Sequence, residues 1–413
     1  MPSSVTIRQA RLVLPQRVVT GDILVEDGVI TEISPRATRT VGEVIDGDGL
    51  VALPGLVDAH LRLDALESID EAAPPMLAGG VTSFVGLRPA SNAARLEAEL
   101  RQLAERSPVH YGLYVALDDG PAAAIDARRA RGIWVSPTAL FRGDIDAVFS
   151  DAEGLVVVSN LDPHRVHDRW HLFDEPLDTA DLARVHDVDT CVHGTRQALA
   201  LAQRHGTRTH LLHVSTEEEL QLWPLPERVT ASVPPSHLFA SDADVDRLGD
   251  LATCQPPLRA SRHQRAAWEA LRSGSVFSAS AHWPARAGDK GGPLTARHPG
   301  WPTVEWWLPL FLDAVNDGRC SLRDVAHATS EGPAAALGLR RKGRLETGYD
   351  ADIVLVDLDD MRTVGESAPV RSLAGWSPWQ GNTLRGWPVR TLVAGTTAWH
   401  RGERFPTLGR ELS

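Results

Sequence analysis

The stretch Leu53-Pro54-Gly55-Leu56-Val57-Asp58-Ala59-His60-Leu61-Arg62-Leu63-Asp64 limits what this chain can fold into more than any other. It is an apolar run ending in ionisable residues at every second position. Side chains on a strand repeat with a period of two, so His60, Arg62 and Asp64 are expected on one face. A polar cluster at the carboxyl end of a strand, within alternating strands and helices, is where a (β/α)8 barrel places its active site. The alternation runs from about 55 to 340. Gly79-Gly80 turns into the apolar run Val81 to Leu87, Leu155 to Ser159 and Thr209 to Ser215 read as further strands, and Arg196 to His205 reads as the helix between those two. Thr216 followed by Glu217, Glu218 and Glu219 has the hydroxyl cap and acidic first turn of a helix start. This order of elements predicts parallel β/α units.

The two ends read differently. Val5 to Leu14 and Asp22 to Ile33 are β-like, the latter with Asp27-Gly28 between alternating runs, a strong hairpin signal. Gly343 to Asp357 and Val389 to Gly395 have the same character. The expected architecture is α/β, a (β/α)8 TIM barrel over 55–340 beside a composite β-sandwich built from 1–54 and 341–413.

A chain of 413 residues with 43% hydrophobic content can bury a sizeable core. Its formal charge of -12, without a run of Lys or Arg, argues against nucleic acid or an anionic membrane as a partner. Cys191, Cys254 and Cys320 lie far apart with no Cys-x-x-Cys spacing, which fits a reduced compartment and no structural zinc knot. No uninterrupted apolar stretch approaches the roughly 20 residues of a membrane helix, and Met1 to Arg8 lacks a signal pattern. A cytoplasmic setting is expected.

Pro54-Gly55-Leu56-Val57-Asp58-Ala59-His60 resembles the first barrel strand of the amidohydrolase superfamily. His213-Val214-Ser215-Thr216, Gln255-Pro256-Pro257-Leu258-Arg259 and Gly348 to Leu355 resemble its dihydroorotase branch. In that branch the first strand ends His-x-His-x-Arg, two metal ligands and an arginine for the substrate carboxylate; the positions here are His60, Arg62 and Asp64. The resemblance further implies zinc held by four histidines and a bridging group, with a catalytic aspartate near the last strand. At the matching places this chain has Ser159 for a ligating histidine, Ser136-Pro137-Thr138 for the bridging group, Ala281 for the aspartate and Ala285 for a substrate-contacting histidine, while His282 persists. His60 and His213 are left as metal ligands if any metal binds, one for each ion, whereas a tight zinc site takes three or four protein ligands. The expectation is a vestigial pocket of His60, Arg62, Asp64, Ser159, His213, Ala281 and His282, with no catalytic residue and no zinc.

The leading functional reading is a dihydroorotase-like protein of pyrimidine biosynthesis that no longer hydrolyses. The resemblance implies aspartate carbamoyltransferase as its structural partner, because degenerate members of the family assemble with that enzyme. Two alternatives stay open: an active cyclic amidohydrolase with an unusual metal site, and a small-anion binding module using Arg62, Arg88 and Arg259. Self-association is also open. His60 and His213 are expected as buried, hydrogen-bonded imidazoles, and Arg62 as a cation paired with Asp58 or Asp64, since buried charges need partners. His164, His167, His171, His186 and His193 read as part of a solvated loop, without ligand spacing on a clear strand or helix.

Overall fold

The computed structural model describes residues 4–63, 66–87, 93–117, 129–173 and 176–413. Among these, one sheet of nine strands draws on both ends of the chain. Val5–Val13, Val18–Glu26 and Val29–Ser34 pair antiparallel in sequence, and Asp27 and Gly28 turn the second hairpin with φ of 52° and 76°. Positive φ at both central residues is what a tight hairpin turn requires, and Asp-Gly tolerates it at least cost. Val51–Pro54 lies parallel to Val5–Val13 and antiparallel to Ile353–Thr363, from which Thr383–Val393, Thr396–His400 and Glu403–Arg404 continue. Ile7, Leu12, Ile23, Val25, Ile353 and Leu355 share one core there.

The second sheet has eight parallel strands in chain order: Leu56–Arg62, Val81–Leu87, His110–Leu117, Gly132–Val135, Val156–Ser159, Thr209–Leu212, Val229–Val233 and Phe277–Ser278. Every residue of the second and third is buried, as expected of parallel strands covered on both faces. The sheet is curled, and the segment past its last strand lies against the first: Arg62 donates its N–H to the His282 carbonyl at 2.9 Å, and Leu61 bridges His282 in parallel. Gly55 joins the two sheets. A Cβ there would sit 2.3 Å from Thr82 Oγ1, so glycine alone lets Val51–Pro54 run straight into Leu56–Arg62.

The region 160 to 195 differs from the expected loop. Asp162 caps a helix over Pro163–Trp170, accepting from the N–H groups of His164 and Arg165, and Asp187 caps Val188–His205 by accepting from Thr190 N–H. Proline at the first helical position behind an aspartate cap is a start signal in its own right. The long helix thus begins before Arg196 and carries His193, with Cys191, Thr195, Ala198, Leu201 and Ala202 on its buried face. Among the described residues no helix is long and apolar enough to cross a membrane.

Candidate site at the mouth of the parallel sheet

His60 and His213 meet where the strands end. Leu56–Arg62 delivers His60, and the backbone just past Thr209–Leu212 enters the left-handed region at His213 (φ 58°), which brings its Nε2 to 2.7 Å from His60 Nδ1. A non-glycine residue held there costs roughly 1–3 kcal/mol and such residues gather at functional sites. Burial lowers the basicity of both rings. His213 falls to about 3, with Arg62 adding to burial; His60 is pushed well below its ordinary value by burial first, then by His213 and Arg62. Both imidazoles are neutral at pH 7, one donating to the other.

Asp58 is fully buried beneath them. Ser280 donates to its carboxylate from both N–H (3.0 Å) and Oγ, and His60 donates its own N–H at 3.1 Å. Burial raises the Asp58 carboxyl to about 6 against the pull of these donors. This pin fixes the segment after the eighth strand onto the first. The next residue, Ala281, also has left-handed backbone (φ 50°).

Arg62 lies between two indoles, its guanidinium carbon 3.7 Å from the Trp283 ring centroid and 5.4 Å from that of Trp134. Of its two expected partners, Asp58 has its oxygens taken by Ser280 and His60, and Asp64 lies outside the described residues. Ser159 Oγ accepts from Trp134 Nε1 at 3.0 Å, which holds the indole across the mouth. His60, Arg62, Ser159, His213 and Ala281 line one cavity of about 130 Å³.

His282 does not. Its Nδ1 accepts from Thr303 N–H (3.0 Å) and Val304 N–H (3.3 Å), which leaves Nε2 to donate to Glu67 at 3.1 Å. Burial opposes ionisation of Glu67, but His282, Ser372 and the Leu373 N–H outweigh it and hold the carboxyl below its usual range. Arg259 is equally removed: it donates to the His186 carbonyl (2.6 Å) and Cys191 Sγ (3.1 Å) and lines no part of the cavity. With Arg88 outside the described residues, the expected trio of arginines is not assembled at the mouth.

The chain matches the amidohydrolase family model over residues 51–398. It belongs to the amidohydrolase family. It is 30% identical over 424 residues to a dihydroorotase of Methanothermobacter thermautotrophicus, covering 95% of this chain and 94% of that protein. It is 26% identical over 445 residues to an L-hydantoinase of Paenarthrobacter aurescens, covering 97% and 95%. The solved L-hydantoinase (dihydropyrimidinase) from Arthrobacter aurescens superposes with a TM-score of 0.93 over 100% of both chains at 24% identity, a likeness of fold.

The zinc implied by the family can be tested against the donors of this amidohydrolase. Among the described residues no group of three or more His, Cys, Asp or Glu side chains is placed to share an ion. At the mouth two imidazoles face each other, Ser159 and Ala281 bring neither an imidazole nor a carboxylate, and Asp58 is enclosed by Ser280. Such a donor set does not fit a tightly held zinc. The sequence reading missed the aromatic walls, Trp134, Trp283 and Trp301; the indole at 283, directly after Ala281-His282, was the available signal.

Proposed function

We propose that this amidohydrolase is a dihydroorotase-like protein of pyrimidine biosynthesis whose mouth no longer hydrolyses a cyclic amide, and which serves as a structural partner of aspartate carbamoyltransferase. The reading takes the fold as a closed (β/α)8 barrel over 55–340 with a composite β-sandwich from 1–54 and 341–413. Its cytoplasmic setting is in keeping with three free cysteines. The observation that carries the proposal is the lining of the mouth, where beside His60 and His213 the described residues supply Ser159 and Ala281 and no carboxylate. Opening an amide ring at neutral pH needs an activated water and a proton carrier, and Ala281 has no proton to move.

Gly55 against Thr82 and Asp58 against Ser280 are intact, while the reactive positions around them have changed. Shape is retained where reactivity is not.

The test is metal content and turnover of the purified chain. Well under one equivalent of zinc and no hydrolysis of dihydroorotate are expected, and Arg62→His alone restores none, because the bridging group and proton carrier are still lacking. Two zinc ions with turnover establish the active cyclic amidohydrolase instead. Co-expression with aspartate carbamoyltransferase and size-exclusion chromatography test the partnership. A specific interface buries more than about 1,000 Å² in total; separate elution at micromolar concentration ends that part of the proposal.

A further inference from the structure

The opposite end of the parallel sheet holds a larger hollow. A cavity of about 720 Å³ opens at the amino ends of the strands, lined by His110, Arg131, Arg340, Arg341, Lys342 and Arg410, with Asp350 and Glu411 as its acidic residues. In a chain of formal charge -12, that concentration of cations runs against the whole.

Both acids are already neutralised. Asp350 takes Arg341 at 2.5 Å and Lys342 at 3.0 Å, and Lys342 also reaches Asp352 at 2.6 Å. Glu411 pairs with Arg129 at 2.5 Å. Among the described residues no carboxylate pairs with Arg340 or Arg410. Arg131 donates one Nη to the Leu337 carbonyl at 2.9 Å, and its buried Nε has no partner. Burial, with the neighbouring Arg208, disfavours the charge on Arg131. Three guanidinium groups therefore stand in surplus around one space.

Two of these positions, Arg131 and the backbone of Arg410, are built into the fold. A Cβ at Gly112 would fall 2.4 Å from Arg131 Cγ, so glycine in the third strand leaves the path that Arg131 follows. Arg410 is held by its backbone: its N–H donates to His110 Nδ1 at 3.1 Å and its carbonyl accepts from Tyr111 N–H at 3.1 Å, while Leu412 N–H donates to the Tyr111 carbonyl at 2.8 Å. Preorganised guanidinium forks match phosphate oxygens in geometry and charge. We propose that this cavity binds a small anion carrying two or more phosphate groups. A single carboxylate would leave most of the surplus charge unmet, and nucleic acid would face a net acidic protein around the hollow.

Titration calorimetry at low salt on the full chain tests this, with inorganic tripolyphosphate, adenosine triphosphate and a hexaglutamate peptide as probes. Saturable binding of a phosphate probe is expected, weakened at least tenfold in the Arg340→Ala/Arg410→Ala double variant and unchanged in Arg62→Ala at the mouth. Equal affinity for the two phosphate probes assigns the site to the phosphate chain, and a preference for adenosine triphosphate assigns it to a nucleotide; either supports the proposal. No saturable binding, loss of binding in Arg62→Ala, or tighter binding of hexaglutamate overturns it. Arg340 and Arg410 are exposed, so the double variant is expected to melt within a few degrees of the parent; if it binds unchanged, the site is not here.

Discussion

The two ends of the parallel sheet treat buried polar groups in opposite ways. At the floor, Asp352 is a buried carboxylate that accepts from Lys342 at 2.6 Å, from His110 at 3.1 Å and from the Ala394 N–H at 2.8 Å. Burial alone would raise its pKa, yet Lys342 and His110 reverse this and hold it far below the usual carboxylate range. The charge is kept and matched. At the mouth the imidazoles are kept neutral, and His60 and His213 satisfy each other across 2.7 Å. In α/β folds of parallel strands, the carboxyl ends of the strands serve chemistry and the amino ends serve stability. The difference is that the buried carboxylate of the floor is held as a matched ion, whereas the two facing imidazoles of the mouth are held neutral.

Acid should separate the two ends most strongly. His210, His213 and His237 are each lowered to about 3, chiefly by burial. Below the unfolded value near 6.5 the unfolded chain gains protons that these folded rings refuse, so stability falls as pH falls. At pH 5 each ring costs about 2 kcal/mol. Asp58 works in the other direction. Raised to about 6, it takes a proton in the folded state first and returns about 1 kcal/mol over the same window. Asp352, depressed, loses its contribution only below the unfolded carboxyl value near 4. The expected outcome is a melting temperature that drops sharply from pH 7.5 to pH 5, with a slope unchanged in Asp352→Asn. A flat profile would mean that these imidazoles are not buried neutral.

Next in size is Asp352→Asn itself. Removing the charge of Asp352 leaves Lys342 with Asp350 alone and His110 without its carboxylate, at a cost of about 3 kcal/mol. His213→Asn at the mouth removes a bond between neutral groups, worth about 1 kcal/mol. Urea unfolding at pH 7.5 ranks the two. If the mouth variant is the more damaging, the contrast between the ends is wrong.

The family phrase around Asp350 and Asp352 shows what the sequence could and could not disclose. The phrase reads correctly as a turn and a buried strand. That its second aspartate would bind a lysine ten positions back and a histidine from the third parallel strand has no local signature, since His110 lies 242 positions away. The same distance hides Glu67 behind His282, 215 positions apart, and the clamp of Trp134 and Trp283 on Arg62. Local signals fared better. The Asp27-Gly28 hairpin and the Thr216 to Glu219 capping box were legible because neighbours alone determine them. The helices over Pro163–Trp170 and Val188–His205 are equally local: Asp162 and Asp187 cap them, amid histidines whose spacing by itself marks neither helix.

The smallest effect concerns Arg62, whose guanidinium lines the mouth. With the ring of Trp283 3.7 Å from its carbon, the contact is one of a flat cation on an aromatic face, which an ammonium meets only as a point charge. Arg62→Lys keeps the charge that lowers His60 and His213 and removes the planar stack, so a loss of about 1 kcal/mol in urea unfolding is expected with the acid profile preserved. Arg62→Leu keeps the apolar volume and removes the charge. Because Arg62 stands next after burial in depressing His213, that ring should then accept a proton at higher pH, and the steep fall in stability below pH 6.5 should soften. Equal acid profiles for the two variants would show that burial alone neutralises the mouth, and that Arg62 is there for its packing rather than its charge.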